Sequence, residues 1–310
     1  MLSLLYFILF ITVFISGMAL LRSGLYNLSA DSFKLRVAEY ADTPLKGLLS
    51  GIIVTALLHS SSAVMVITIG LISAGILTFS QSIGIILGAN IGTTFTVEFI
   101  TFNIDFLIVP LAVIGSLMIL ISRKNTRYAG TIFLGIAAVF AAMRGFAFLA
   151  GPLTDLPLVQ AGLLMMNSSH FWSVLAGTAL TAVIQSSTAL TGIVMGFLEG
   201  DILTLEAGIA AMLGANIGTC ITAYLASVGA GREARLTAFA HIWLNVLGVA
   251  VFYPFIHVFA VIAPLTAAAP EVQLAHASVI FNVLSSLLVF PFATRFGSMI
   301  LFIHGRHKKD

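Results

Sequence analysis

Four short polar runs stand inside otherwise apolar sequence, and they form two matched pairs. His59-Ser60-Ser61-Ser62 is followed by Gly-Ala-Asn-Ile-Gly-Thr at Gly88 to Thr93, and Gln185-Ser186-Ser187-Thr188 by the same six residues at Gly214 to Thr219. A helix that begins just after Ser60, Ser61 and Ser62 presents unpaired backbone N–H groups and a positive dipole end, with hydroxyl donors beside them, which suits an oxyanion. A helix that ends near Leu58 offers unpaired carbonyls, which with hydroxyl and amide oxygens suit a small hard cation such as sodium. Asn90, Thr93, Asn216 and Thr219 supply further oxygens as candidate cation ligands. Their glycine neighbours Gly88, Gly92, Gly214 and Gly218 permit close backbone approach.

These runs belong to a longer repeat. Gly51 to Thr96 aligns without a gap on Gly177 to Thr222 at a constant offset of 126, with 20 of 46 pairs identical. Ser-Ser-Ser and Gly-Ala-Asn-Ile-Gly-Thr are poor helix sequence, and non-helical backbone at membrane depth survives only where it lines a buried or wet cavity. A duplicated, helix-breaking polar pair is the sequence mark of a transporter built from repeats. On this ground the Gly-Ala-Asn-Ile-Gly-Thr segments are expected to break the helices that carry them.

The elements that must position these residues are membrane helices. The chain is 59% hydrophobic and 8% charged, with mean hydropathy +1.11, so the bilayer is its solvent. Apolar stretches of crossing length run from Leu2 to about Leu21 and near residues 80–100, 104–122, 128–150, 205–228, 235–256 and 276–303, which makes seven crossings. No Lys or Arg precedes the first stretch, so it is read as a retained helix and not a signal peptide. The segments on either side of each serine motif are too short to cross. From Leu45 to Leu58, for example, a helix reaches about 21 Å against a hydrocarbon core of about 30 Å. Each motif is therefore expected at the tip of a re-entrant hairpin, one spanning about 45–76 and turning at His59 to Ser62, the other about 170–198 and turning at Gln185 to Thr188.

Threading seven crossings and two hairpins puts Arg22, Lys34, Arg36, Lys46, Arg123, Lys124, Arg127, Arg232, Arg235, Arg306, Lys308 and Lys309 on one side, twelve of the 14 basic residues. The loops of the other side hold Glu98, Asp105, Asp155, Glu199, Asp201, Glu206 and Glu271. The basic face marks the cytoplasm, with the N-terminus outside and the C-terminus inside a plasma membrane. Three crossings separate the hairpins, so they enter from opposite faces and the repeats are inverted. The expected fold class is all-α: a polytopic integral membrane protein with two inverted-topology repeats, at 1–126 and 127–262, each holding a re-entrant hairpin and a broken helix. A last helix and short basic tail at 263–310 follow. Asp31 to Asp42 is expected to lie in the membrane interface.

Outside the repeat, His241 with Asn245, and His276 with Asn282, place polar groups on the last two long helices. Helix–helix hydrogen bonding is the favoured role over ion ligation. Arg144 is expected to snorkel to the headgroups. Its repeat mate is Met18. Cys220, the single cysteine, excludes an intrachain disulfide. There is no Gly-x-x-x-x-Gly-Lys loop, no Cys/His cluster of zinc spacing and no Gly-x-Ser-x-Gly elbow. An enzyme is not expected. Uphill transport would have to draw on an ion gradient, and no basic cluster interleaved with aromatics suits nucleic acid.

At the paired motifs the sequence resembles the type II sodium-phosphate cotransporter family, whose hallmark is two Gln-Ser-Ser-Ser/Thr motifs, each followed by Gly-Ala-Asn-Ile-Gly-Thr, in inverted repeats. The resemblance extends through most of the chain, including the stretches from Ala240 to Asn245 and Ala275 to Asn282. It implies sodium-coupled symport of inorganic phosphate by alternating access, with sodium as coupling ion and no other cofactor or metal. On this resemblance His59, Ser60, Ser61, Gln185, Ser186 and Ser187 hold the anion. Ser62, Thr188, Asn90, Thr93, Asn216 and Thr219 are expected to hold sodium, and Asn245, Asn282 and Arg144 form a separate second tier of site candidates. Phosphate, sodium and the bilayer are the expected partners, and a homodimer is a further expectation. His59 departs from the family's Gln and adds a group able to titrate near neutral pH, which admits proton coupling or another small oxyanion. A membrane receptor or scaffold that binds an anion without moving it is the alternative from another class. The soluble regulatory domain that the resemblance associates with many bacterial relatives is not expected in this sequence, which runs to Asp310.

Overall fold

The computed structural model describes residues 2–39 and 43–305, with side chains described for residues 2–28 and 43–305. Every regular element among them is helical: α1 (Leu2–Glu39), α2 (Pro44–Leu58), α3 (Ser61–Ser73), α4 (Phe79–Phe99), α5 (Asp105–Ile119), α6 (Lys124–Thr154), α7 (Pro157–Ser168), α8 (His170–Ile184), α9 (Ser187–Glu199), α10 (Leu205–Ser227), α11 (Arg232–Phe252), α12 (Ile256–Ile262), α13 (Pro270–Val289) and α14 (Ala293–His304). Short 3-10 turns at Tyr253–Phe255, Ala263–Leu265 and Phe290–Phe292 each contain a proline, which removes a helical N–H donor and so bends the chain between α11 and α12, after α12, and between α13 and α14.

The offset of 126 in sequence is also the offset in structure. α8 begins and ends 126 residues after α2, α9 does so relative to α3, and α10 begins 126 after α4. The limbs α2 and α8 have 15 residues each, and α3 and α9 have 13, so none reaches the length of a crossing. Six spans are long and apolar enough to cross: 2–28, 79–99, 124–154, 205–227, 232–265 and 270–304. The seventh expected crossing, 104–122, contains a helix of only 15 residues, Asp105–Ile119, about 22 Å long.

Two expectations are corrected. α4 and α10 run unbroken through Gly88–Thr93 and Gly214–Thr219. The glycines there act through their lack of a side chain: a Cβ on Gly88 would run into the Leu48 carbonyl oxygen, and one on Gly214 into that of Val174. α2 thus lies almost backbone to backbone on α4, and α8 on α10, and the contact offsets the poor helix propensity of glycine. The second correction concerns the first helix, which continues past Leu21 to Glu39 and so takes Arg22 out of a loop. The side chains of the interfacial stretch Asp31 to Asp42 lie outside the described residues. At the repeat-related positions stands α7, a helix with no buried residue.

Packing divides into two apolar cores. One gathers α1, α6, α9, α10 and α13 around Phe14, Phe146, Leu190, Met195 and Phe281. The other gathers α2, α3, α4, α11 and α14 around Met65, Ile69, Ile86, Leu244 and Ile300.

Candidate functional site

Both hairpin tips are built in one way. α2 ends on His59 in the left-handed region (φ 48°, ψ 38°), and α8 on Gln185 (φ 56°, ψ 28°). An extended serine follows, Ser60 or Ser186, whose hydroxyl caps the next helix by accepting from the backbone N–H of Ala63 (3.1 Å) or Ala189 (3.2 Å). The joint is two residues long, shorter than the four expected, because the later serines and Thr188 form the first turns of α3 and α9. The N–H groups of Ser61, Ser62, Ser187 and Thr188 make no backbone hydrogen bond among the described residues, as first-turn donors have no intrahelical partner.

The two tips share a cavity of about 520 Å³. Its wall includes His59 to Ala63 from one hairpin and Ile184 to Thr188 from the other. A third wall comes from α1, with Ile15, Met18, Ala19 and Arg22, and Thr222 of α10 lines the cavity as well. Arg22 is held by its Nε, which donates to the Leu58 carbonyl (3.3 Å) at the end of α2. His59 Nδ1 lies 3.2 Å from Thr96 Oγ1, and its ring packs on Phe99. Thr222, the repeat mate of Thr96, has a buried hydroxyl with no protein partner.

All eight expected residues of the serine motifs therefore come together: His59, Ser60, Ser61, Ser62, Gln185, Ser186, Ser187 and Thr188. The four from the Gly-Ala-Asn-Ile-Gly-Thr segments do not line this cavity. Asn90 is buried and its Nδ2 donates to Asn245 Oδ1 (3.2 Å), while Asn245 Nδ2 donates to the His241 carbonyl (2.9 Å). Thr93, Asn216 and Thr219 bond to carbonyls of their own helices, those of Ala89, Met212 and Ala215. Asn282 does likewise with Ser278, leaving its buried Oδ1 without a partner.

Arg144 stands elsewhere, in a separate pocket of about 150 Å³ beside Asp105, Glu199 and Glu271. It forms a clasp: Nε meets Asp105 Oδ1 at 2.5 Å, and Nη1 meets Glu199 Oε1 at 3.3 Å. The expected snorkelling is thus replaced by a bridge between the start of α5 and the end of α9.

The wall formed by α1 was absent from the residues singled out above, although its signal is in the sequence. Positions 15, 18, 19 and 22 fall at the spacing of one helix face. Counting the apolar run as ending before the first charge hid Arg22.

A bundle of membrane-length helices in which two short helix pairs bring polar tips into one largely apolar cavity defines a multi-pass membrane protein of the transporter type. Comparison with known proteins makes this specific. Residues 13–147 and 157–288 match the Na+/Pi-cotransporter family, and the chain belongs to that family. It is 41% identical over 300 residues to the "Uncharacterized protein YqeW" of Bacillus subtilis, covering 97% of this chain and 98% of that one. It is 22% identical over 295 residues to the "Putative inorganic phosphate export protein YjbB" of Salmonella typhimurium, covering 94% of this chain and 54% of that one, so it spans about half the length of that relative. A shorter match, 30% over 91 residues, links 28% of it to 14% of the sheep "Sodium-dependent phosphate transport protein 2A". No solved structure matches significantly.

Proposed function

We propose that the chain is a secondary transporter that carries inorganic phosphate with sodium by alternating access around the two serine tips. One observation carries this reading: two tips separated by 126 residues in the chain line a single cavity and offer it hydroxyls and four first-turn N–H donors. In this reading His59, Ser60, Ser61, Gln185, Ser186 and Ser187 hold the anion. Ser62 and Thr188 are the sodium ligands within the cavity. Asn90, Thr93, Asn216 and Thr219 offer oxygens one layer away, where Asn90 meets Asn245.

The two halves, 1–126 and 127–262, are inverted repeats, each with one re-entrant hairpin. The matched element bounds and the short limbs support the repeat; in this reading α5, with the residues that flank it in 104–122, crosses together with α4 and α6, and three crossings invert the second hairpin. Removing Arg22 from the twelve residues of the basic face leaves eleven, which still favour a plasma-membrane protein with its C-terminus in the cytoplasm. The flux runs whichever way the coupled gradients point, so export and uptake are both within reach of one site.

His59 supports a second reading in which a proton replaces sodium, since it lines the cavity with a ring nitrogen bonded to Thr96. Labelled phosphate uptake into proteoliposomes, with an inward sodium gradient against potassium alone at fixed pH, decides between them. Sodium-driven accumulation is expected, and accumulation driven only by a proton gradient would overturn sodium coupling. Gln185→Ala is expected to abolish uptake while leaving the protein folded and inserted; undiminished uptake in that variant would sink the anion-site assignment.

A further inference from the structure

Arg22 is an ionisable side chain inside the membrane-length span 2–28, where a charge has to be matched by a function or a partner. Its protein partner is the Leu58 carbonyl, and no ion pair to Arg22 occurs among the described residues. Among the described residues it is also the one Lys, Arg, Asp or Glu in the wall of the cavity that holds both serine tips. The carbonyl takes one of its five donors, the Nε–H, and fixes the guanidinium plane against the end of α2. The four N–H bonds of the two terminal amino groups remain, in a rigid fork that matches two oxygens of a tetrahedral oxyanion.

We propose that Arg22 is the fixed cation of the anion site, binding the transported oxyanion through its terminal amino groups. This rests on the reading of the cavity given above and deepens it. Position 148, the repeat mate of Arg22, is Phe148, exposed on the outside of α6. The charge therefore enters the cavity once, from the side of the His59 tip. The anion consequently sits off the line that would relate the two repeats, nearer α1 and the first hairpin, while the Gln185 tip meets its far side with neutral donors.

The test uses Arg22→Gln and Arg22→Lys in the full-length protein, with phosphate and sodium titrated separately in proteoliposomes and phosphate-induced thermal stabilisation measured in detergent. Arg22→Gln is expected to raise the phosphate concentration for half-maximal uptake by at least about tenfold, the scale of a lost hydrogen bond to a charged group. The half-maximal sodium concentration at saturating phosphate should stay within about twofold, and the phosphate-induced thermal shift should be lost. Arg22→Lys keeps the charge without the fork and should fall between. A residue that only caps α2 would change thermal stability and maximal rate but not half-saturation, and unchanged phosphate half-saturation in folded Arg22→Gln overturns the proposal. If Arg22→Gln fails to fold, Arg22→Lys with wild-type phosphate half-saturation overturns it equally. Wild-type protein that responds to sulfate and not phosphate overturns the cargo but leaves Arg22 standing, provided Arg22→Gln removes the sulfate response. No response to either anion overturns both.

Discussion

The two hairpins share a tip and differ in almost everything around it. At the tip, the left-handed residues His59 and Gln185 agree within about 10° in φ, and the extended, capping serines Ser60 and Ser186 differ by 17° in φ. Behind it, α9 is enclosed on all sides, buried without a gap from Thr188 to Leu198, whereas α3 buries one face through Ser61, Val64, Met65, Thr68, Ile69 and Ile72. The open side of α3, at Val66 and Ile67, faces the cavity, while the second hairpin reaches the cavity only with its tip, from Ile184 to Thr188. Tip geometry is thus set by a few local residues that duplication preserved. Enclosure of α9 comes from α6 and α13, outside the repeated block, together with α10 within it, and it makes the cavity lopsided.

The strongest test asks where the halves should behave alike. Gly88→Ala and Gly214→Ala each drive a methyl into a carbonyl of the neighbouring limb, so both are expected to remove most folded protein, seen as loss of a monodisperse peak in detergent. A variant pair in which only one fails would show that the two helix contacts are not equivalent. A smaller effect should separate the halves. A Cβ on Gly196 would lie 2.9 Å from atoms of Phe146 and Ala147, while one on its mate Gly70 would meet nothing within 4 Å. Gly196→Ala should lower thermal stability by about 1–3 kcal/mol, and Gly70→Ala should be neutral or raise it by about 0.5–1 kcal/mol. Equal effects would mean that α9 is no more enclosed than α3.

Smaller again is the hydroxyl pair. Thr96→Val removes the partner of His59 and should lower stability by about 1 kcal/mol, whereas Thr222→Val deletes a hydroxyl that has no protein partner and should leave thermal stability nearly unchanged. The mildest change makes the tips alike: His59→Gln keeps a hydrogen-bonding side chain and should hold uptake within a few-fold of wild type. Any pH dependence of wild-type uptake between pH 6 and 8 that originates at the tip should vanish with it, and its persistence would move the titrating group elsewhere.

The hairpins were legible because two short apolar limbs around a polar joint admit few other solutions in a bilayer. Their limits, 45–76 and 170–198, lie close to the observed 44–73 and 170–199. The unbroken course of α4 and α10 was not legible. Glycine weakens an isolated helix, and only the presence of α2 and α8 against that face turns the same residues into a contact surface. Asn90 and Asn245 were picked out separately as polar residues in apolar surroundings, but their hydrogen bond joins positions 155 residues apart, a distance no local spacing encodes. Arg22 was missed for a simpler reason, since a charge that follows an apolar run is ordinarily where a crossing stops.

The Arg144 clasp ties the end of α9 to the start of α5, and both of its ion pairs are about half exposed to solvent. Exposed pairs of this kind contribute about 0–1 kcal/mol, close to the thermal energy of about 0.6 kcal/mol. Such a latch spends an appreciable fraction of its time undone at equilibrium, and it unfastens without an external trigger. Dissolved salt should shift that fraction further, so the ionic strength of the bathing solution becomes a handle on how readily these two helix ends part.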